Sequence, residues 1–359
     1  MILVLPPSRF LLIGCLLVAG ASRATSSSQL PGWQPDGSVL LPNQWSLKPA
    51  GRQVPIGDFP LNLALHRDGR HAAVLHCGWG QHEVRIVEVK TGRAVSQAAL
   101  DEAFYGLAWS GDGATLFVSG AGTEVVHAFT FTDGYLSARR ELRTRPVKER
   151  GVPAGIAVSG DGTALFVCEV WGQRVSRLAV AGGAPVWSRS LGPRPSTRRM
   201  SHEENRVETE ASAAAPFPYA CVLDEERGRL YVSLWAQSAV LVLDASTGKE
   251  IARWPVGPHP NEMTLSRDGR LFVAEANHNS VSVIDVAAGR VLERLSASLY
   301  PDAPPGSMPN ALALSPDGGW LLAAGADPAV ENPQDKTLAL HDAAAGGHDG
   351  IVELLLLAA

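Results

Sequence analysis

The residues whose types could do chemistry are His259, Asn261, His278, Glu169 and Glu275. Imidazole and carboxylate groups are the usual protein ligands of divalent metals. His259, Asn261 and His278 lie close together in sequence. Glu169 and Glu275 occupy matching places, each closing an apolar run (ALFVCE and RLFVAE). The same residues serve equally as hydrogen-bonded loop residues. No H-E-x-x-H pair and no acidic cluster singles out a ligand geometry, and no metal is expected. A second pattern is aromatic. The triplets Trp79-Gly80-Gln81, Trp171-Gly172-Gln173 and Trp235-Ala236-Gln237 repeat one motif. A rim of indoles flanked by amides suits a planar or sugar-like ligand, or a partner protein. The alternative is packing between neighbouring units, with Gln tying loop backbone.

Other catalytic signatures are missing. There is no G-x-S-x-G elbow, no phosphate-binding glycine loop and no C-x-x-C pair. An enzyme built on this chain would assemble its site from scattered loop residues, and no cofactor is expected. His202, Glu203 and Glu204 sit in a charged stretch, residues 192–215, that has no apolar periodicity and reads as a mobile surface loop.

The elements that must position these loops are short strands. Residues 260–295, PNEMTLSRDGRLFVAEANHNSVSVIDVAAGRVLERL, read as a unit of four. A strand from Pro260 ends at the turn Arg267-Asp268-Gly269, where Gly accepts the positive φ of a tight hairpin. A second strand, with Leu271, Phe272 and Val273 in succession, suits burial on both faces. The polar loop 275–279 follows, then an alternating third strand and a fourth. Such a small sheet needs neighbours like itself. Repeats near 59–100, 102–142, 151–191, 216–256, 257–297 and 306–326 supply them. Their turn aspartates, Asp68, Asp112, Asp161, Asp268 and Asp317, recur at about 40–50 residues or multiples, the period of propeller blades. The expected fold is all-β, a β-propeller of four-stranded antiparallel blades. Six blades are recognisable, or the last is incomplete. Residues 38–57 read as closing strands, near 44–47 and 53–56, and residues 143–150 as a short basic linker. In a propeller, the loops leading into the first strand and those joining the second and third share one face, where ligand sites usually sit.

The formal charge of −5 and pI near 6.1 argue against a nucleic-acid footprint. Arg9 precedes an apolar run over residues 10–21 followed by small residues, so residues 1–24 read as a secretory signal and 25–37 as a flexible lead-in. The run is too short to span a membrane, which takes about 20 residues. Leu12-Ile13-Gly14-Cys15 also resembles a lipoprotein box, which would place a lipid on Cys15. Cys77, Cys168 and Cys221 remain, an odd number for an exported chain, and read as small buried apolar residues. The tail, 327–359, departs from the repeat and reads as a truncated or frame-shifted end, leaving an open sheet edge prone to association.

The core P-x-x-x-x-x-S-x-D-G-x-x-F-V followed by V-S-V-I-D, carried by residues 260–285 and more loosely by 105–129, 153–178 and 309–324, resembles the YVTN-type β-propeller repeat of bacterial exported proteins. The stretch GSVLLPNQWSLKPAGRQVPIGDFPLNLALHRDGRHAAV is similar to the propeller half of proteins that join such a propeller to an alkaline-phosphatase-like phosphoesterase. That resemblance implies the seven-bladed type and a separate phosphoesterase as partner. The functional expectation is a periplasmic or secreted, non-catalytic scaffold. It binds an unknown small molecule or protein through Trp79, Trp171, Trp235, His259, Asn261, Glu169, Glu275 and His278. The alternatives are a propeller remnant of a phosphoesterase-linked protein, and a lactonase-like or metal-dependent hydrolase using His259, His278, Glu169 and Glu275.

Overall fold

The computed structural model describes residues 30–41, 46–47, 54, 56–193, 215–297, 308–315 and 317–325. The expected signal segment, most of the 192–215 loop with His202, Glu203 and Glu204, and the tail 327–359 lie outside the described residues. The chain falls into two compact units, 1–48 and 49–359. In the first, Gly32–Trp33, Val39–Leu40 and Ser46–Leu47 form an antiparallel sheet, with Val39 paired to both Trp33 and Leu47.

The second unit is a β-propeller. Five four-stranded antiparallel sheets follow one another in the sequence, and a two-stranded sheet, Pro309–Leu314 with Leu321–Gly325, comes after them. We number these sheets as blades 1 to 6. Each runs outward in chain order from a first strand: Pro60–Leu65, Leu107–Trp109, Pro153–Val158, Pro218–Asp224, Pro260–Leu265 and Pro309–Leu314. Consecutive first strands are neighbours and line the centre of the ring. The second strands are the most deeply packed, and His71–His76 and Ala164–Glu169 are buried at every position. Their unbroken apolar runs are what burial on both faces demands. Fourth strands such as Arg93–Ala99 mix half-buried and exposed positions at the rim. Blade 5 follows the sequence pattern to within a residue, with strands Pro260–Leu265, Arg270–Glu275, Ser280–Asp285 and Arg290–Ser296.

Hydrogen bonds stitch blade to blade. Ser119 Oγ donates to Ala154 O at 2.6 Å and Ser233 Oγ to Asn261 O at 2.9 Å. The indole of Trp109 reaches back to the preceding blade at Ala64 O (3.0 Å), and that of Trp187 reaches forward to the next at Ala245 O (3.1 Å). The turn between first and second strands has its own chemistry. Ser110, Ser159 and Ser315 donate to Asp112, Asp161 and Asp317 at 2.5–2.6 Å, and Ser266 donates to Asp268 in the same way. Gly269 at φ +83° completes the blade 5 turn, as the Asp-Gly pair requires. Cys77, Cys168 and Cys221 are free thiols, with Cys168 and Cys221 together in the core between blades 3 and 4.

Candidate functional site

The loop face is built from one backbone device repeated around the ring. The residue just before each first strand holds a left-handed conformation: Phe59 (φ 47°), Val152 (56°), Phe217 (46°), His259 (52°) and Met308 (35°). Each precedes a proline that opens its strand, where a missing N–H costs no ladder bond. The proline disfavours the right-handed helical region for the residue before it. A β-bulge then follows in each of these strands, as between Pro218 and Cys221 and between Pro260 and Met263. Strained positions and bulges of this kind concentrate at functional sites. Blade 2 keeps the left-handed residue, Tyr105 (φ 60°), before Gly106 instead of proline.

The device displays side chains. Phe59 and Met308 are exposed, as is Trp79 on the neighbouring loop. Across blades 3 to 5 four rings form an arc. Phe217 lies 6.2 Å from Trp171 and 6.3 Å from Trp235, and His259 stacks on Trp235 at 4.0 Å with the planes 34° apart. His259 Nδ1 is buried and has no hydrogen-bond partner among the described residues. Gln173 explains how the arc is held. Its Nε2 donates to Val170 O at 2.8 Å and its Oε1 accepts from Phe217 N at 2.7 Å. Of the three tryptophans singled out by sequence, Trp171 and Trp235 share this arc, while Trp79 makes no ring contact among the described residues.

The carboxylates are engaged in holding loops. Glu169 is fully buried, with Arg145 on one oxygen and Arg174 on the other at 2.6 Å. Burial raises its pKa, and the two guanidinium groups oppose that rise. Residues 143–150 therefore do more than link blades, because Arg145 is buried in this cluster. Glu124, which the sequence did not single out, accepts from Gly151 N (2.7 Å) and Val152 N (3.1 Å). Glu275 accepts from Gly257 N at 2.6 Å and from the Ser280 and Ser282 hydroxyls. A Cβ at position 257 would stand 2.3 Å from the Glu275 carboxylate, so only glycine allows that approach. Asn261 is buried and caps the amide of Glu262 at 2.7 Å. His278 is exposed, with Nδ1 3.0 Å from Ser280 Oγ. Glu169, Glu275, His259 and His278 do not form a shared ligand cluster among the described residues.

A second polar group lies inward. The Tyr105 hydroxyl, from blade 2, donates to the Glu262 carboxylate on the first strand of blade 5. Tyr219 of blade 4 packs beside them, its ring 4.5 Å from Tyr105 and 6.0 Å from Phe104. Asn62 Nδ2 fixes Tyr105 O at 2.7 Å. No ion pair engages Glu262 among the described residues. Burial pushes its pKa up to about 7, against the pull of the Tyr105 hydrogen bond. Burial likewise pushes Tyr105 well above the usual phenol range and Tyr219 to about 12. No repeat or motif in the chain announces that blades 2 and 5 meet in this way.

No family model matches the chain, and no curated protein does. Solved structures do. A streptogramin B lyase is similar with a TM-score of 0.57 and 14% identity over 80% of this chain and 84% of its own. A catalytically inactive virginiamycin B lyase variant from Staphylococcus aureus, solved with quinupristin, gives 0.54 and 15% over 73% and 77%. Hydrazine synthase from Kuenenia stuttgartiensis gives 0.46 and 19% over 60% of this chain, which spans only 54% of that one. What is shared with the two lyases is the propeller fold.

Among the described residues, no helix is long and apolar enough to cross a membrane.

Proposed function

We propose that this propeller is a binding scaffold whose loop face takes a ligand with a flat apolar face, a planar ring system or a sugar. The observation that carries this reading is the arc Trp171–Phe217–Trp235–His259, in which Phe217 and His259 hold positive φ just before the prolines that open their strands. Stacked rings offer large contact area with little side-chain freedom to lose. The same surface would also suit a partner protein with an exposed aromatic or aliphatic anchor. The test is fluorescence titration with an oligosaccharide panel and planar aromatic probes. At least one probe should saturate, and Trp235→Ala should weaken it at least tenfold. Unchanged affinity in Trp235→Ala and Phe217→Ala, or no saturable response to any probe, would overturn the reading.

A second reading, acid–base catalysis, is favoured by Glu262. A carboxyl that exchanges its proton near neutrality beside a phenol is suited to proton transfer. A lactone panel tests it, and any hydrolysis should vanish in Glu262→Gln. Export rests on Arg9 and the apolar run after it, and a phosphoesterase partner on the repeat resemblance. Cell fractionation and co-purification with the neighbouring gene products check those two points.

A further inference from the structure

On the opposite face, blade 1 breaks the turn chemistry of its fellows. Where blades 2, 3, 5 and 6 place Ser110, Ser159, Ser266 and Ser315, blade 1 places His66, and the turn aspartate Asp68 is followed by His71. In the serine turns a hydroxyl donates a proton to the carboxylate. In the histidine turn an imidazole stands in place of that hydroxyl, and His66 can donate to Asp68 from Nδ1 only when its ring carries both hydrogens. His66 Nε2 lies 3.1 Å from Gly113 O. A carbonyl only accepts, so Nε2 carries the hydrogen and Nδ1 of the neutral ring is a bare lone pair. That lone pair faces Asp68 Oδ2 at 3.0 Å, and Asp68 N approaches it at 3.4 Å, as it would approach an acceptor. Two acceptors so close call for a cation between them, either a proton on His66 Nδ1 or a metal ion. His71 Nδ1 points at the same oxygen from 2.7 Å.

We propose that His66 Nδ1, Asp68 Oδ2 and His71 Nδ1 form a binding site for a divalent transition-metal ion of the zinc class. The three ligand atoms lie within 4.8 Å of one another, and no other such group of three or more occurs among the described residues. Two imidazoles and a carboxylate are a borderline donor set that suits such ions, leaving a fourth position for water. The Gly113 carbonyl on His66 Nε2–H is the outer partner that orients a metal-bound imidazole. His71 switches tautomer, its hydrogen leaving Nδ1 for solvent while Nε2 takes one up, so that Nδ1 offers a lone pair and no net proton is released. Ligand atoms around a tetrahedral ion with bonds of about 2.0–2.1 Å stand roughly 3.3 Å apart, so binding lengthens the 3.0 and 2.7 Å approaches to Asp68. Both histidines are packed on Phe131, at 4.7 and 5.5 Å, and Trp109 lies 4.8 Å from His66, which holds the rings while Asp68 stays open to solvent.

The test is calorimetric titration of the chelator-treated full chain with Zn2+, with Co2+ absorption reporting geometry. One site per chain is expected. His66→Ser, which installs the serine of the other blades, should keep the far-ultraviolet circular dichroism and melting temperature of the parent and lose the site at least tenfold. Absence of a one-site isotherm would overturn the proposal. So would His66→Ser binding Zn2+ as the parent does, or nitrogen-15 NMR showing His66 doubly protonated in excess Zn2+.

Discussion

Glu169 and Glu262 are carboxylates drawn into the same ring, and their surroundings differ in one respect. Glu169 meets two guanidinium groups, whereas Glu262 meets a phenol. The first serves as an anchor that fixes the 143–150 segment against blade 3. The second is left able to exchange its proton near neutral pH. Burial acts on both, and the partner decides whether the group becomes scaffold or chemistry.

The largest expected effect comes from breaking the anchor. Glu169→Ala leaves Arg145 buried without its carboxylate and should cost about 3–5 kcal/mol in urea denaturation. A loss under about 1 kcal/mol would mean that Arg145 finds water, and the contrast would collapse. Glu262→Gln should act with the opposite sign at alkaline pH. Glu262 has a folded pKa near 7, above the usual 4.5. Its contribution to stability is therefore complete below about pH 4.5 and lost as pH rises through about 7. Glutamine cannot ionise, so the variant should be the more stable at pH 8, by about 3 kcal/mol at most. Thermal melts from pH 4 to 9 check this, and parallel curves for variant and parent would refute it. Tyr105→Phe should cost about 2 kcal/mol at pH 9, where the lost bond is to a charged carboxylate, and about 1 kcal/mol at pH 5. Equal losses at the two pH values would place the proton elsewhere. The smallest effect marks the baseline. Arg189 and Glu250 pair at 3.0 Å with side chains 35% and 33% exposed. Arg189→Ala should change stability by less than about 1 kcal/mol, and less still in high salt.

The fold was legible because it is local and repeated. Asp268-Gly269 announces a hairpin, and Leu271–Phe272–Val273 announces a strand covered on both sides. The loop face was half legible. The Trp171 and Trp235 triplets and His259 were visible in the sequence, but their union through Phe217 into one arc became legible only once loops from successive blades were set side by side. Glu262 and Tyr105 lie 157 positions apart in sequence, and no periodicity relates them. The His66-x-Asp68-x-x-His71 turn did carry a signal, as the departure of one repeat from the serine of four others. It shows only when the repeats are compared at the turn.

The residues that precede the first strands carry one further consequence. Phe59, Val152, Phe217, His259 and Met308 take their directions from a backbone conformation that recurs from blade to blade. A surface fixed in advance has little ordering to do when a molecule lands, so encounter should be quick and alike for different ligands. Discrimination would then lie in how long each stays, and residence time, more than association rate, should rank the molecules that this face selects.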